Sequence, residues 1–238
     1  MNKPQLFCFS FAGGTASFFD ELEKDLPELE LIKVEYPGHG TRFREAFAAD
    51  FEALADDAFR QVKKQYLKGT YGLLGYSMGS ITLVEVLKRI LANSTMQKPE
   101  HVFLAAHEPH SKTELSGFTT DKLDDWIKKR TLLFGGIPDR LINNQTFWRM
   151  YLPLYRTDYA LIQRYRFEEL DLKTEIPATI FYSETDTPRS EMQKWKRYFI
   201  GKCEYHCYVG KHFFIREYHK EMAGVILSGM KKGGNHDT

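Results

Sequence analysis

Gly75-Tyr76-Ser77-Met78-Gly79 lies between an apolar run, Tyr71 to Tyr76, and a stretch from Ser80 to about Ala92 that contains no Gly or Pro. In that stretch Ile81, Val84, Leu87, Lys88 and Leu91 recur at helical spacing, so a strand is predicted to pass straight into a helix at Ser77. The flanking glycines let neighbouring backbone come close, and a turn this tight holds the serine hydroxyl above the sheet edge. A serine that only caps a helix start is the plainer alternative. The strand before it and the helix after it favour the sharp turn.

Upstream, Leu6-Phe7-Cys8-Phe9 and Leu31-Ile32-Lys33-Val34-Glu35-Tyr36 read as short strands, closed by turns at Gly13-Gly14 and Pro37-Gly38-His39-Gly40. Asp50 is placed to cap a helix running to about Tyr66, with Phe51, Leu54, Ala55, Ala58 and Val62 on one face. Downstream, Val102 to Ala106, Ala178 to Tyr182 and Glu204 to Val209 supply further strands, and a helical pattern spans Arg189 to Phe199. Strands alternating with helices imply a mostly parallel sheet flanked by helices. With the serine turn, they predict an α/β-hydrolase fold in a single domain covering 1–238. From about 111 to 175 the pattern is helical alone, broken at Gly135-Gly136 and Pro138, which marks a lid inserted into the sheet domain. The polar end, 231–238, is expected to be a disordered tail.

A chain of 238 residues that is 42% hydrophobic and 14% aromatic can fill one core. Its formal net charge of +1 lacks the basic excess that nucleic-acid binding draws on. Met1-Asn2-Lys3-Pro4 leads into a strand-like run, and no long uncharged stretch is available for a membrane span. A cytoplasmic protein is expected. Cys8, Cys203 and Cys207 cannot complete a disulfide framework and read as reduced thiols in buried strands. Cys203, His206 and Cys207 lack a second pair of ligands, so no metal is expected.

A serine hydroxyl attacks only with a base in hydrogen-bond reach, itself held by an acid, and in this fold the chain order is Ser, acid, His. His212 follows the last strand after the turn Gly210-Lys211 and is the predicted base. His39, His101, His206, His219 and His236 fit worse, lying in an early turn, in strands, on a helix and in the tail. His107 and His110 follow the fourth strand and are candidates for substrate contact, but they read more simply as polar loop residues. The loop Ser183-Glu184-Thr185-Asp186-Thr187-Pro188 supplies the acid, with Asp186 preferred and Glu184 in reserve. An Asp that merely starts the turn before Pro188 is the competing explanation. A developing oxyanion needs donors from the amide after the nucleophile and from the loop after the first strand. Those are Met78 and Ala12, with Phe11 as the alternative to Ala12.

Phe9-Ser10-Phe11-Ala12-Gly13-Gly14, Tyr36-Pro37-Gly38-His39-Gly40, the Ser77 turn and Gly210-Lys211-His212-Phe213-Phe214 together resemble the type II thioesterases of nonribosomal peptide and polyketide synthesis. The likeness extends to Leu133-Phe134-Gly135-Gly136-Ile137-Pro138 and to Leu152 through Tyr159 in the insertion. It implies Ser77, Asp186 and His212 as the catalytic triad, with Ala12 and Met78 as oxyanion donors. It also implies a substrate held as a thioester on the phosphopantetheine arm of an acyl or peptidyl carrier protein, with no cofactor of the enzyme's own. Members act in trans, and relatives release medium-chain acyl groups from fatty-acid synthase. A monomer is expected. Ser10 stands where Pro is usual, Tyr76 where His is common and Lys211 where Gly is common, while Ala106-His107-Glu108-Pro109 replaces a more basic stretch.

A general carboxylesterase would keep the same triad without carrier docking, and a noncatalytic carrier-binding protein would need no triad. In the insertion, Phe147, Tyr151, Leu154 and Tyr155 fall near one helical face, which reads first as packing and second as an acyl-pocket lining. Lys128, Lys129, Arg130, Arg140, Arg149, Arg156 and Arg164 suit either an acidic carrier protein or a solvated face.

Overall fold

The computed structural model describes residues 2–109 and 120–233. The elements are β1 (Gln5–Phe9), α1 (Asp20–Lys24), β2 (Glu30–Val34), α2 (Phe51–Gln65), β3 (Tyr71–Tyr76), α3 (Met78–Leu91) and β4 (His101–Ala105). They continue with α4 (Thr120–Phe134), α5 (Asp139–Ile142), α6 (Gln145–Arg164), β5 (Ala178–Tyr182), α7 (Arg189–Met192), β6 (Cys203–Cys207) and α8 (Ile215–Gly233). The strands are all parallel and lie in the order β2-β1-β3-β4-β5-β6.

Strand residues alternate between faces. Phe7, Phe9, Leu73 and Leu104 pack with α2 and α3, whereas Leu6, Cys8, Leu74 and Phe103 pack with α1 and α8. Each large apolar side chain so buried contributes about 1.5–3 kcal/mol. In α2, the Asp50 side chain accepts from the Ala53 amide, and Phe51, Leu54, Ala55, Ala58 and Val62 form the buried face, as their spacing predicts. Every residue from Met78 to Leu87 in α3 is buried, which makes it the central helix and fixes the position of the serine turn at its start.

The far end departs from the sequence reading. The segment after Pro188 is one short helix, α7, continued by a 3-10 stretch over Gln193–Arg197. Strand β6 begins at Cys203 and has a neighbour on one side only, so Cys203 is half-buried and Cys207 is exposed rather than buried. His206 points to the opposite face from Cys203 and Cys207, as strand alternation requires. Residues 231–233 complete the last turn of α8 instead of starting a tail, and 234–238 lie outside the described residues.

Between β4 and β5 the described elements are α4, α5 and α6 with a 3-10 turn over Phe167–Glu169, and 110–119, including His110, lie outside the described residues. Ile127 of α4 packs with Trp148, Leu152, Tyr155 and Tyr159 of α6 in a small core of their own. Among the described residues, no helix is long and apolar enough to cross a membrane.

Candidate active site

Ser77 occupies φ 55°, ψ −121°, a region that costs a side-chain-bearing residue about 1–3 kcal/mol. The surroundings hold it there. Its amide donates to the Ala105 carbonyl at 2.8 Å, and the Ser80 hydroxyl, just inside α3, donates to the Gly75 carbonyl at 3.0 Å. Gly79 is obligatory for a steric reason, since a Cβ there would stand 1.9 Å from the Phe9 carbonyl oxygen.

His212 lies in the loop after β6, and Asp186 in the loop after β5. The His212 Nδ1–H donates to Asp186 Oδ2 at 2.7 Å, and Nε2 lies 2.9 Å from Ser77 Oγ, within reach to accept its proton. All three line one cavity of about 80 Å³. The two loops are tied together, because Ser183 and Thr185 both donate hydroxyl hydrogen bonds to the Gly210 carbonyl. Tyr76, which stands where His is common in the family, donates its buried hydroxyl to the His212 carbonyl at 2.6 Å. Glu184 instead accepts from the Arg189 amide at the start of α7, away from His212.

Phe11, Ala12, Gly13 and Gly14 form a turn closed by the Gly14 amide donating to the Phe11 carbonyl at 2.9 Å, with Gly13 at φ +75°. That pattern is a type II turn, whose third residue favours glycine. In a trans peptide the N–H points opposite to the preceding carbonyl. Commitment of the Phe11 carbonyl to the turn therefore leaves the Ala12 amide facing out of it. Ala12 lines the cavity with Ser77, and Met78 is the first residue of α3, where helix amides lack an internal partner.

Four further residues surround this centre, of which sequence reasoning names only His107 as a candidate for substrate contact. Phe134, the last residue of α4, stacks on the His212 ring with centroids 4.0 Å apart and planes 18° apart. The Arg130 guanidinium lies over Phe134 at 4.8 Å. His107 is buried in the cavity wall rather than being a polar loop residue; its Nδ1–H donates to the Glu108 carbonyl, and the Trp195 indole N–H donates to the His107 carbonyl. Burial pushes its imidazole down to about 4, against the weaker upward pull of the Glu108 carbonyl, so it is neutral at pH 7.

The fourth is Asp158 of α6. Its Oδ2 accepts from the Gly13 amide at 2.6 Å and from His39 Nε2 at 2.9 Å, with both side chains almost wholly buried. Phe147, Tyr151 and Tyr155 line a second cavity of about 530 Å³ with Phe11, Gly13 and Phe18, while also packing on the small core of α4 and α6. Tyr155 also packs on Ile127 and Trp148. Arg156 is held by Asp124 at 2.5 Å, which removes it from the free cations of the insertion.

A family model described as Thioesterase domain matches residues 4–228, a span that takes in Ser77, Asp186 and His212. The chain belongs to the thioesterase family. Among relatives of this thioesterase, the linear gramicidin dehydrogenase LgrE of Brevibacillus parabrevis is 28% identical over 235 residues, 95% of this chain and 87% of that protein. The medium-chain S-acyl fatty acid synthase thioesterase of Rattus norvegicus is 28% identical over 216 residues, 89% of this chain and 81% of that one. The solved structure of ClbQ from the colibactin NRPS/PKS pathway matches with a TM-score of 0.87 at 21% identity and covers 98% of each chain. That likeness places the thioesterase in the α/β-hydrolase fold. Despite the first relative's name, this thioesterase has no G-x-G-x-x-G stretch after β1 or β3 to seat a dinucleotide. It is a serine hydrolase.

Proposed function

We propose that the protein hydrolyses acyl groups from the phosphopantetheine arm of acyl or peptidyl carrier proteins, as an editing or releasing enzyme acting in trans for peptide or polyketide synthases. The observation that carries this reading is the continuous relay from Asp186 through His212 to Ser77 beside a helical insertion. His212 takes the Ser77 proton as the oxygen attacks the thioester carbonyl, and Asp186 holds the imidazole in the tautomer that leaves Nε2 free to accept. The Met78 and Ala12 amides bind the oxyanion. His212 then gives its proton to the departing thiol, and water activated by the same histidine hydrolyses the acyl-serine.

On this reading the chain works as a monomeric, cytoplasmic, single-domain enzyme with α4 to α6 as its lid. It uses no cofactor of its own, because the phosphopantetheine arrives with the substrate. The names of the gramicidin and colibactin relatives support a peptide or polyketide pathway. The rat relative supports a second reading, release of medium-chain fatty acyl groups, and the aromatic groove of about 530 Å³ is roomy enough for such chains. A general carboxylesterase would prefer simple esters to either. Ser77→Ala is expected to abolish release of acetyl from an acylated carrier protein, and retained turnover overturns the assignment. Acetyl and decanoyl carriers, acyl-CoA and simple esters, compared on the wild type, rank the substrate classes.

A further inference from the structure

Asp158 and His39 are 119 residues apart in the chain and form a buried pair. The His39 ring lies between two acceptors, with Nδ1 at 2.9 Å from the Pro37 carbonyl and Nε2 at 2.9 Å from Asp158 Oδ2. Both nitrogens must donate, so the ring carries the charge that the carboxylate needs. Glu35 also faces this pair and adds to the pull on the ring; its own oxygens accept from the Ala16 and Thr41 amides. An ion pair this deep is weak as a stabiliser, because desolvation offsets most of its attraction. Its position is more informative.

Both Asp158 and Tyr155, one turn earlier on α6, act on Gly13. The carboxylate accepts a hydrogen bond from the Gly13 amide, and the Tyr155 ring lies against its Cα so closely that a Cβ at Gly13 would stand 2.4 Å from the ring. Gly13 is the neighbour of Ala12, whose amide faces out of the same turn. We propose that Asp158, held by its pairing with His39, is a positioning residue: docked α6 sets the orientation of the Ala12 peptide, so the oxyanion site is complete only while the lid helix sits on the 11–14 turn. The proposal rests on the assignment of the Ala12 amide as an oxyanion donor. Lid docking then acts on transition-state binding and leaves ground-state binding almost untouched.

Asp158→Asn is nearly the same shape and keeps an oxygen for the Gly13 amide but removes the charge. Its kcat on an acylated carrier is expected to fall roughly 10- to 100-fold, short of or equal to the loss of a whole oxyanion donor, with KM changed less than about threefold. An alkyl boronic acid forms a tetrahedral adduct on Ser77 that occupies the oxyanion site. Its affinity should fall by the same factor as kcat, while a nonhydrolysable thioether analogue of the acyl-pantetheine binds as to wild type. A purely structural role would not separate the two ligands. Wild-type kcat and boronate affinity in Asp158→Asn, or equal losses for boronate and thioether, overturn the proposal. If Asp158→Asn does not fold by circular dichroism, His39→Gln is the second variant. It is expected to show the same kcat and boronate losses at smaller size, and wild-type values there overturn the proposal equally. A wild type that no boronate inhibits rejects the underlying Ser77 and oxyanion reading instead.

Discussion

Gly79→Ala is the most direct test of how the serine turn is built. The added Cβ would meet the Phe9 carbonyl oxygen at 1.9 Å, against the 3.0 Å below which such contacts essentially do not occur. The obstacle is the backbone of a central strand, so α3 must retreat from β1 by about 1 Å, because packed interiors have no free space to absorb it. Overpacking of this kind costs about 1–3 kcal/mol. For a chain of this length each kcal/mol lowers Tm by about 2–4 °C, so a fall of about 2–12 °C is expected. Ser77 lies two residues before Gly79 and moves with it, which stretches the 2.9 Å contact to His212. A displacement of about 1 Å at a reacting group costs roughly 10²-fold in rate. Gly224→Ala is the matched comparison: it changes the same atom in α8, where nothing lies within 4 Å, and should raise stability by about 0.5–1 kcal/mol. Urea unfolding gives the stabilities and acetyl-carrier hydrolysis gives the rates. A Gly79→Ala protein with wild-type midpoint and kcat refutes the steric account.

Asp186→Asn should lower kcat by roughly 10²- to 10⁴-fold by removing the acceptor that fixes the His212 tautomer, whereas Glu184→Gln should stay within a few-fold; acetyl-carrier hydrolysis by the two variants decides, and the reverse ranking would move the acid to Glu184. His107 titrates near 6.5 when unfolded and at about 4 in the folded protein, so its contribution to stability is complete above pH 6.5 and is lost as pH falls through that window. Between pH 7 and pH 5 this amounts to about 2 kcal/mol, and His107→Gln should flatten the fall in unfolding free energy, measured in urea, by that much; identical pH dependence in both proteins would contradict a buried neutral imidazole.

Local pattern carried the sequence reading furthest. The Ser77 turn, the α2 face from Phe51 to Val62 and the loops holding Asp186 and His212 all follow from spacing and chain order, and the structure brings these side chains together. What escaped was set by partners far away in the chain. His39 in its glycine turn gives no sign of Asp158, and His107 looks like a loop residue until Trp195 and the cavity wall enclose it. Cys207 reads as buried because its segment alternates like a core strand, but β6 ends the sheet and leaves it open to solvent. Phe134 shows nothing by itself of the histidine ring it covers.

The helical insertion leaves the sheet from β4 and rejoins it at β5, and these strands are direct neighbours, with Val102 opposite Ala178. Departure and return thus share one seam, and the pairing of the remaining strands does not depend on what happens between them. With its two ends on neighbouring strands, the segment can be replaced without re-pairing the sheet. Two fittings must travel with any replacement, a carboxylate to receive the Gly13 amide and an aromatic ring to lie on His212. A grafted cassette that lacks them would leave the Gly13 amide and the His212 ring without these partners.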